Sequence, residues 1–322
     1  MALIQGTSNS ETLYGTTGAD SLYGQGGNDS LYGRSGDDQI RGGAGDDKLL
    51  GESGTDTLYG EDGNDTLHGG TGVSYLQGGA GNDRLIYDPS AADIATIRTS
   101  LAASRLNGDA GTDTLAVINR TTYTAGTAAE PAEAPAQTYI YIDAKGSGRI
   151  LFTKPDSQWD ASSIAVGNFT GIEKIVASGA GGLSFAGGFH ESTGIDITGT
   201  AAADTFRSAY GSDTMRGGAG DDVFHIGGGG DDRVYSDADD ADSFHLNFFD
   251  PGSHAVMGFN GAGVEGGDRL YIHGDAALGT SVSVSEQAGK TTMTLTNHDW
   301  GTVSTCVIDK VGLVEGVDYF YV

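Results

Sequence analysis

A single cysteine, Cys306, stands in 322 residues, so no disulfide can cross-link the chain to itself. Within STCVID it reads as a small buried strand residue rather than a reactive thiol. Proline is also scarce, at 5 residues against 55 glycines, and there is no G-X-Y register, which excludes a collagen-like chain. No apolar run approaches the ~18 residues of a membrane-spanning helix. The opening MALIQGTSNS has neither a basic start nor an apolar signal core. Export, where it occurs, is therefore expected to use some route other than a cleaved N-terminal signal. Basic residues are few: 17 lysines and arginines face 44 acids, for a formal net charge of −27. That balance argues against nucleic acid and against docking on anionic lipid. It also opposes compaction unless cations neutralise it.

What the chain does contain is a repeat. From Thr7 it divides into nine nonapeptides: TSNSETLYG, TTGADSLYG, QGGNDSLYG, RSGDDQIRG, GAGDDKLLG, ESGTDTLYG, EDGNDTLHG, GTGVSYLQG and GAGNDRLIY. The seventh position is Leu or Ile throughout, and the fifth is Asp in all but two units, where Glu11 and Ser74 stand. Glycine holds the third and ninth positions in eight units each. An x-L-x triplet is too short for a helix but suits a short strand with one inward side chain. A lone inward leucine builds no core, whereas a stack of them does. The glycines permit sharp turns of positive φ and let carbonyls face a common centre. Carbonyl and carboxylate oxygen together suit calcium rather than zinc or copper.

The pattern resembles the repeats-in-toxin (RTX) nonapeptide G-G-x-G-x-D-x-L-x, which runs unbroken from Gly42 to Leu50. That resemblance implies an all-β fold, a parallel β-roll in which two nonapeptides make one 18-residue turn, with calcium between turns stacked on the same side. It places Asp29, Asp47, Asp65 and Asp83 in one row and Asp20, Asp38 and Asp56 in the other, which Ser74 interrupts. Gly27, Gly36, Gly45, Gly54 and Gly63 are the matching turn glycines. Roughly eight to ten calcium ions are expected, and their +16 to +20 would offset much of the net charge.

After Tyr87 the repeat stops. Ser90 to Leu106 reads as a helix, with Ser90 and Asp93 as a capping box and Ile94, Ile97 and Leu101 on one face. GDAGTDTLA follows, with Asp113 in the aspartate position, and residues 121–137 form an Ala/Thr/Pro-rich loop. The repeat resumes near Gly199, where Asp204, Asp213, Asp222 and Asp232 hold the aspartate position; Asp222 and Asp232 lie in the better-formed units. The expected organisation is a first β-roll over 1–87, an irregular helix/strand insertion over 88–198, a second roll over 199–235 and a β-rich cap over 236–322. The cap resembles the segment that follows the roll in secreted RTX metalloproteases and lipases. Its ending, Asp318 before Tyr319 to Val322, resembles the uncleaved C-terminal signal of type I secretion.

Catalytic signatures are sparse. No HExxH pair occurs among the seven histidines, and His190-Glu191 lacks a second histidine. Gly182-Leu183-Ser184-Phe185-Ala186 is only a faint likeness of a nucleophile elbow. Tyr14, Tyr23, Tyr32 and Tyr59 occupy the eighth position, which strand alternation turns outward, where they suit self-association or contact with a cell-surface glycan. The expectation is a secreted, non-enzymatic calcium-binding protein whose folding extracellular calcium switches on, acting in a surface layer or adhesive matrix. Two alternatives stand beside it. One is the C-terminal module of a larger RTX enzyme or toxin, since the chain enters the repeat almost at once. The other is a polysaccharide-acting or esterase-type enzyme with its site in 88–198.

Overall fold

A computed structural model describes residues 1–88, 104–119, 137–144, 147–153, 164–170, 172–179, 182–187, 194–208, 210–227, 229–237, 240–247, 252–260, 267–273, 280–298, 301–316 and 318–321. Its regular elements are all strands, and the chain divides into two compact units. One holds residues 1–139 and 146–179, the other 140–145 and 180–322.

In the first unit successive nonapeptides alternate between two parallel sheets. Strands Leu3–Gln5, Ser21–Gly26, Gln39–Ala44, Thr57–Asp62 and Tyr75–Ala80 stack in one, and Thr12–Tyr14, Ser30–Ser35, Lys48–Ser53, Thr66–His68 and Arg84–Tyr87 in the other. Each strand pairs with the one 18 residues on, so Leu22 lies beside Ile40 and Leu31 beside Leu49. Leucine lands on leucine every turn, and Leu22, Leu31, Ile40, Leu49, Leu58, Leu67 and Leu85 are fully buried. This is the β-roll expected from the repeat.

Among the described residues the expected helix is not found. Ser104–Leu106, its last residues, begin strand Ser104–Ala110, which pairs in parallel with Tyr75–Ala80. Residues 89–103 lie outside the description. Leu106, the last residue of the expected helix, is a buried core leucine stacked on Leu76. Thr114–Asn119 likewise joins Arg84–Tyr87, and Lys174–Gly179 joins Thr114–Asn119. These pieces extend the roll in register.

The second unit repeats the scheme with a different filling. Leu183–Gly187, Thr205–Arg207, Val223–Ile226, Ser243–Asn247, Arg269–His273 and Tyr319–Tyr321 follow one another in parallel in one sheet. Here phenylalanine replaces leucine. Phe206, Phe224 and Phe244 are fully buried, with ring centroids 4.9 and 5.2 Å apart. The opposite sheet runs Asp196–Thr198, Thr214–Arg216, Arg233–Tyr235, Ser253–Met257 and Thr302–Ile308. It closes with Lys290–Asn297 and Thr280–Gln287 in an antiparallel meander. Cys306 is buried in that sheet, which pushes its thiol up to about 12. Ser184 lies within an extended strand opposite Thr205, not at a strand-to-helix elbow. His190-Glu191 and most of the 121–137 loop fall outside the described residues.

Candidate metal centres

Stacking at 18-residue intervals puts the fifth-position carboxylates of each sheet in a column. Asp20, Asp29, Asp38, Asp47, Asp56, Asp65, Asp83, Asp113, Asp213, Asp222 and Asp232 are all buried. Within a column the backbone N–H of one aspartate donates to Oδ1 of the next. Asp29 donates to Asp47, Asp47 to Asp65, Asp65 to Asp83 and Asp83 to Asp113, at 2.7–2.8 Å. Asp20 donates to Asp38 and Asp38 to Asp56, at 2.7 and 2.9 Å. One oxygen of each carboxylate therefore fastens the turns together.

The other oxygen is left over. Oδ2 of Asp29, Asp38, Asp47, Asp56, Asp65, Asp83, Asp113 and Asp222 is buried and meets no hydrogen-bond donor. An unmatched buried carboxylate oxygen costs several kcal/mol unless a counter-charge meets it. Burial is accordingly the main force raising these acids from their usual 3.8. It lifts Asp38, Asp47 and Asp113 to about 6, Asp56 and Asp65 to about 7 and Asp222 to about 9. Like charge in the column adds to the rise, as Asp20 does at Asp38.

The glycines shape the space in front of that oxygen. A Cβ on Gly33 would lie 2.5 Å from Oδ2 of Asp38 and 2.9 Å from the carbonyl of Gly51. The ninth-position glycine thus keeps open a gap between a carboxylate and the next turn's carbonyl. Gly27, Gly36, Gly45, Gly54 and Gly63 all have positive φ, from 89° to 143°. A Cβ on Gly45 would stand 2.5 Å from the carbonyl oxygen of Gly27, so the turns stack too closely for a side chain. Carboxylate and carbonyl oxygens around a glycine-lined gap form a donor set that fits a hard divalent cation, calcium foremost.

Three positions close the gap with the protein's own donors. Thr16 gives both its N–H and its hydroxyl to Oδ2 of Asp20, at 2.6 and 2.7 Å, and these bonds hold that carboxyl below its usual value. Thr200 likewise gives its N–H and hydroxyl to Oδ2 of Asp204, at 2.6 and 3.2 Å, although burial still raises that carboxyl to about 6, and Thr7 binds Glu11. Each case reads Gly-Thr-x-x-x-acid and opens a block of turns. Asp232 takes a different route: its Oδ2 lies 3.2 Å from Nδ1 of His254, both side chains being buried. At Ser74 no carboxylate continues the column, and the Ser74 N–H donates to the hydroxyl of Ser104.

Several polar positions were missed in the sequence. Glu173 continues the longer row, accepting from Asp113 N–H at 2.9 Å. Asp242 and Asp268 continue the second unit's column beyond Asp222, at 2.9 Å each. The residue before each aspartate makes a second, exposed ladder: Asp46 N–H donates to the Asn28 side chain, Asn64 to Asp46 and Asn82 to Asn64. The recurrent Asn-Asp and Asp-Asp dipeptides were the available signal for it.

A comparison with curated proteins finds no match. A family profile, the RTX calcium-binding nonapeptide repeat in four copies, matches residues 5–40, 32–67, 59–88 and 197–225. These stretches coincide with stacked turns whose buried carboxylates and open glycine gaps have just been described, and over them the chain carries RTX calcium-binding nonapeptide repeats.

Proposed function

We propose that this is an extracellular structural protein whose folding is driven by calcium, serving in a cell-surface layer or adhesive matrix. The observation that carries the reading is the run of buried Oδ2 atoms without donors, of which those of Asp29, Asp38, Asp47, Asp56, Asp65, Asp83 and Asp222 face a glycine-lined gap. A calcium-poor compartment leaves those charges unmet and disfavours the roll. Millimolar external calcium lies within the ~10⁻⁴–10⁻³ M range typical of extracellular sites, so binding there drives folding. Asp29, Asp38, Asp47, Asp56, Asp65, Asp83, Asp113 and Asp222 are the ligands assigned, within a total of roughly eight to ten ions whose charge offsets most of the −27. Asp20, Asp213 and Asp232 take lesser parts, because Asp20 and Asp232 already face internal partners.

The adhesive role is supported by the outer faces. Tyr14 is half exposed and stacks on Tyr32 with centroids 5.1 Å apart, while Arg41 lies over Tyr59 at 4.2 Å. Rows of aromatic and arginine side chains are what protein and sugar contacts favour. Electron microscopy of the calcium-loaded protein tests this: ordered sheets or filaments are expected, disappearing with chelator. A strictly monomeric protein at high calcium that binds neither cells nor polysaccharide would overturn the adhesive role.

A further inference from the structure

The second unit holds one carboxylate group that is not a nonapeptide turn. Asp240, Asp242 and Asp268 each place a carboxylate oxygen within 4.8 Å of the other two. Donors sharing one calcium at ~2.3–2.6 Å stand up to about 5 Å apart, so the spacing admits a single ion among all three. Among the described residues it is the one such trio. The sequence around the first two, SDADDAD, contains no glycine and lies beyond the residues that match the RTX repeat.

Proximity of acids alone does not make a site. Here the hydrogen bonding leaves oxygens that nothing in the protein uses. Asp242 is 1% exposed, and its Oδ1 is committed to the N–H of Asp222 at 2.9 Å. Its Oδ2 is buried without a donor. Asp240 repeats the arrangement: Oδ2 accepts from Gly220 N–H at 2.9 Å, and Oδ1 is buried without a donor. Asp268 is the anchored member. Its Oδ1 accepts from Asp242 N–H, and its Oδ2 accepts from the Ser236 hydroxyl and Asn260 N–H at 2.8 and 2.9 Å. Asn260 joins the two loops, donating Nδ2 to the Asp240 carbonyl at 2.9 Å and accepting from Asp268 N–H at 2.8 Å. Its neighbour Phe259 packs against Phe244 with centroids 5.9 Å apart, tying the clamp to the core. Thr200 meets the inward oxygen of Asp204, whereas Oδ2 of Asp242, like that of Asp222, and Oδ1 of Asp240 are buried without a donor.

We propose that Asp240, Asp242 and Asp268 form a separate all-carboxylate site for one divalent cation, calcium by its donor set, and the tightest in the chain. Three carboxylates bring three negative charges to one ion, where a glycine turn relies largely on neutral carbonyls. Ligand charge count is what raises calcium affinity. The site extends the calcium reading to a different kind of centre, so the two can fail separately.

The test is titration of the full-length protein with calcium by calorimetry, with bound ions counted by native mass spectrometry, for the wild type, Asp240→Asn and Asp46→Asn. Asp240 is the partly exposed member, so its variant spares the core; Asp46 is an acid of the exposed ladder. Wild type should show one site at least tenfold tighter than the rest. Asp240→Asn should lose that class and one ion while keeping the others, and Asp46→Asn should keep the full count. A tightest class and ion count unchanged in Asp240→Asn overturns the site while leaving calcium-driven folding intact. A wild type that binds no calcium overturns both. Magnesium in place of calcium should leave the tight class unfilled at equal concentration, and tight magnesium binding would contradict the assignment to calcium.

Discussion

Every carboxylate in these turns has two oxygens with different duties, and single substitutions can separate them. Oδ1 of Asp47 holds a backbone N–H, while Oδ2 faces the gap beside Gly42. Asp47→Asn keeps an acceptor but removes the charge, so it should lower the calcium count by one and weaken calcium-dependent folding. Thr16 is the converse case, because it already satisfies Asp20. Thr16→Val should remove the hydroxyl donor while keeping the backbone N–H, and so make the first turn more dependent on calcium, read as a higher calcium midpoint for protection of its amides from hydrogen exchange. The second consensus position offers an independent test. Glu52 is exposed at φ 71°, a left-handed conformation that costs a non-glycine residue ~1–2 kcal/mol. Glycine there loses ~0.5–1 kcal/mol more chain entropy on folding. Glu52→Gly should therefore stabilise the folded protein by up to about 1 kcal/mol, seen as a higher Tm. At this scale the aspartates and turn glycines were legible, because spacing alone identifies them. The threonine caps and His254 were not, because they act on residues in particular turns and leave no periodic trace.

Strands and turns are held by stacking, so an element's strength depends on what its neighbours place in the same column. Leu49 is fully buried between Leu31 and Leu67, and Leu49→Ala should cost ~2–5 kcal/mol. The exposed ladder contributes less: Asp46→Ala removes an acceptor for the Asn64 backbone and side chain, worth about 1 kcal/mol, without changing the ion count. Ser74 marks the gap in one column, and Ser74→Asp should add a site there, raising the count by one. The parallel roll was readable from x-L-x triplets at nine-residue spacing. The helix expected at 90–106 was not realised in its described end, where Leu106 serves the roll's core instead. A 3.6-residue pattern over a short stretch cannot distinguish a helix face from a chain that re-enters an existing sheet. Nor could sequence show that parallel stacking continues through 243–273 into residues 319–321, since Ile226, Leu246 and Ile272 there stand where the repeat has glycine.

For the whole molecule the governing fact is an acidic chain whose fold buries its acids. Burial raises Asp56 and Asp65 to about 7 and Asp38, Asp47 and Asp113 to about 6, against 3.8 for an exposed carboxyl. A raised acid favours the folded state in its protonated form. In the absence of calcium that contribution is fully present below pH ~4 and is lost as pH rises through 6–7. The cation-free protein should thus be more ordered at pH 4.5 than at pH 8. Protons and calcium compete for the same oxygens, so the calcium midpoint should move to higher concentration between pH 7.5 and 5.5. The central claim is tested most directly by far-ultraviolet circular dichroism of the full chain at pH 7.5, in chelator and then across a calcium titration to several millimolar. The account predicts a disordered spectrum in chelator and a cooperative gain of β-structure as calcium rises. A β-rich spectrum already complete in chelator, and unmoved by calcium, would contradict it.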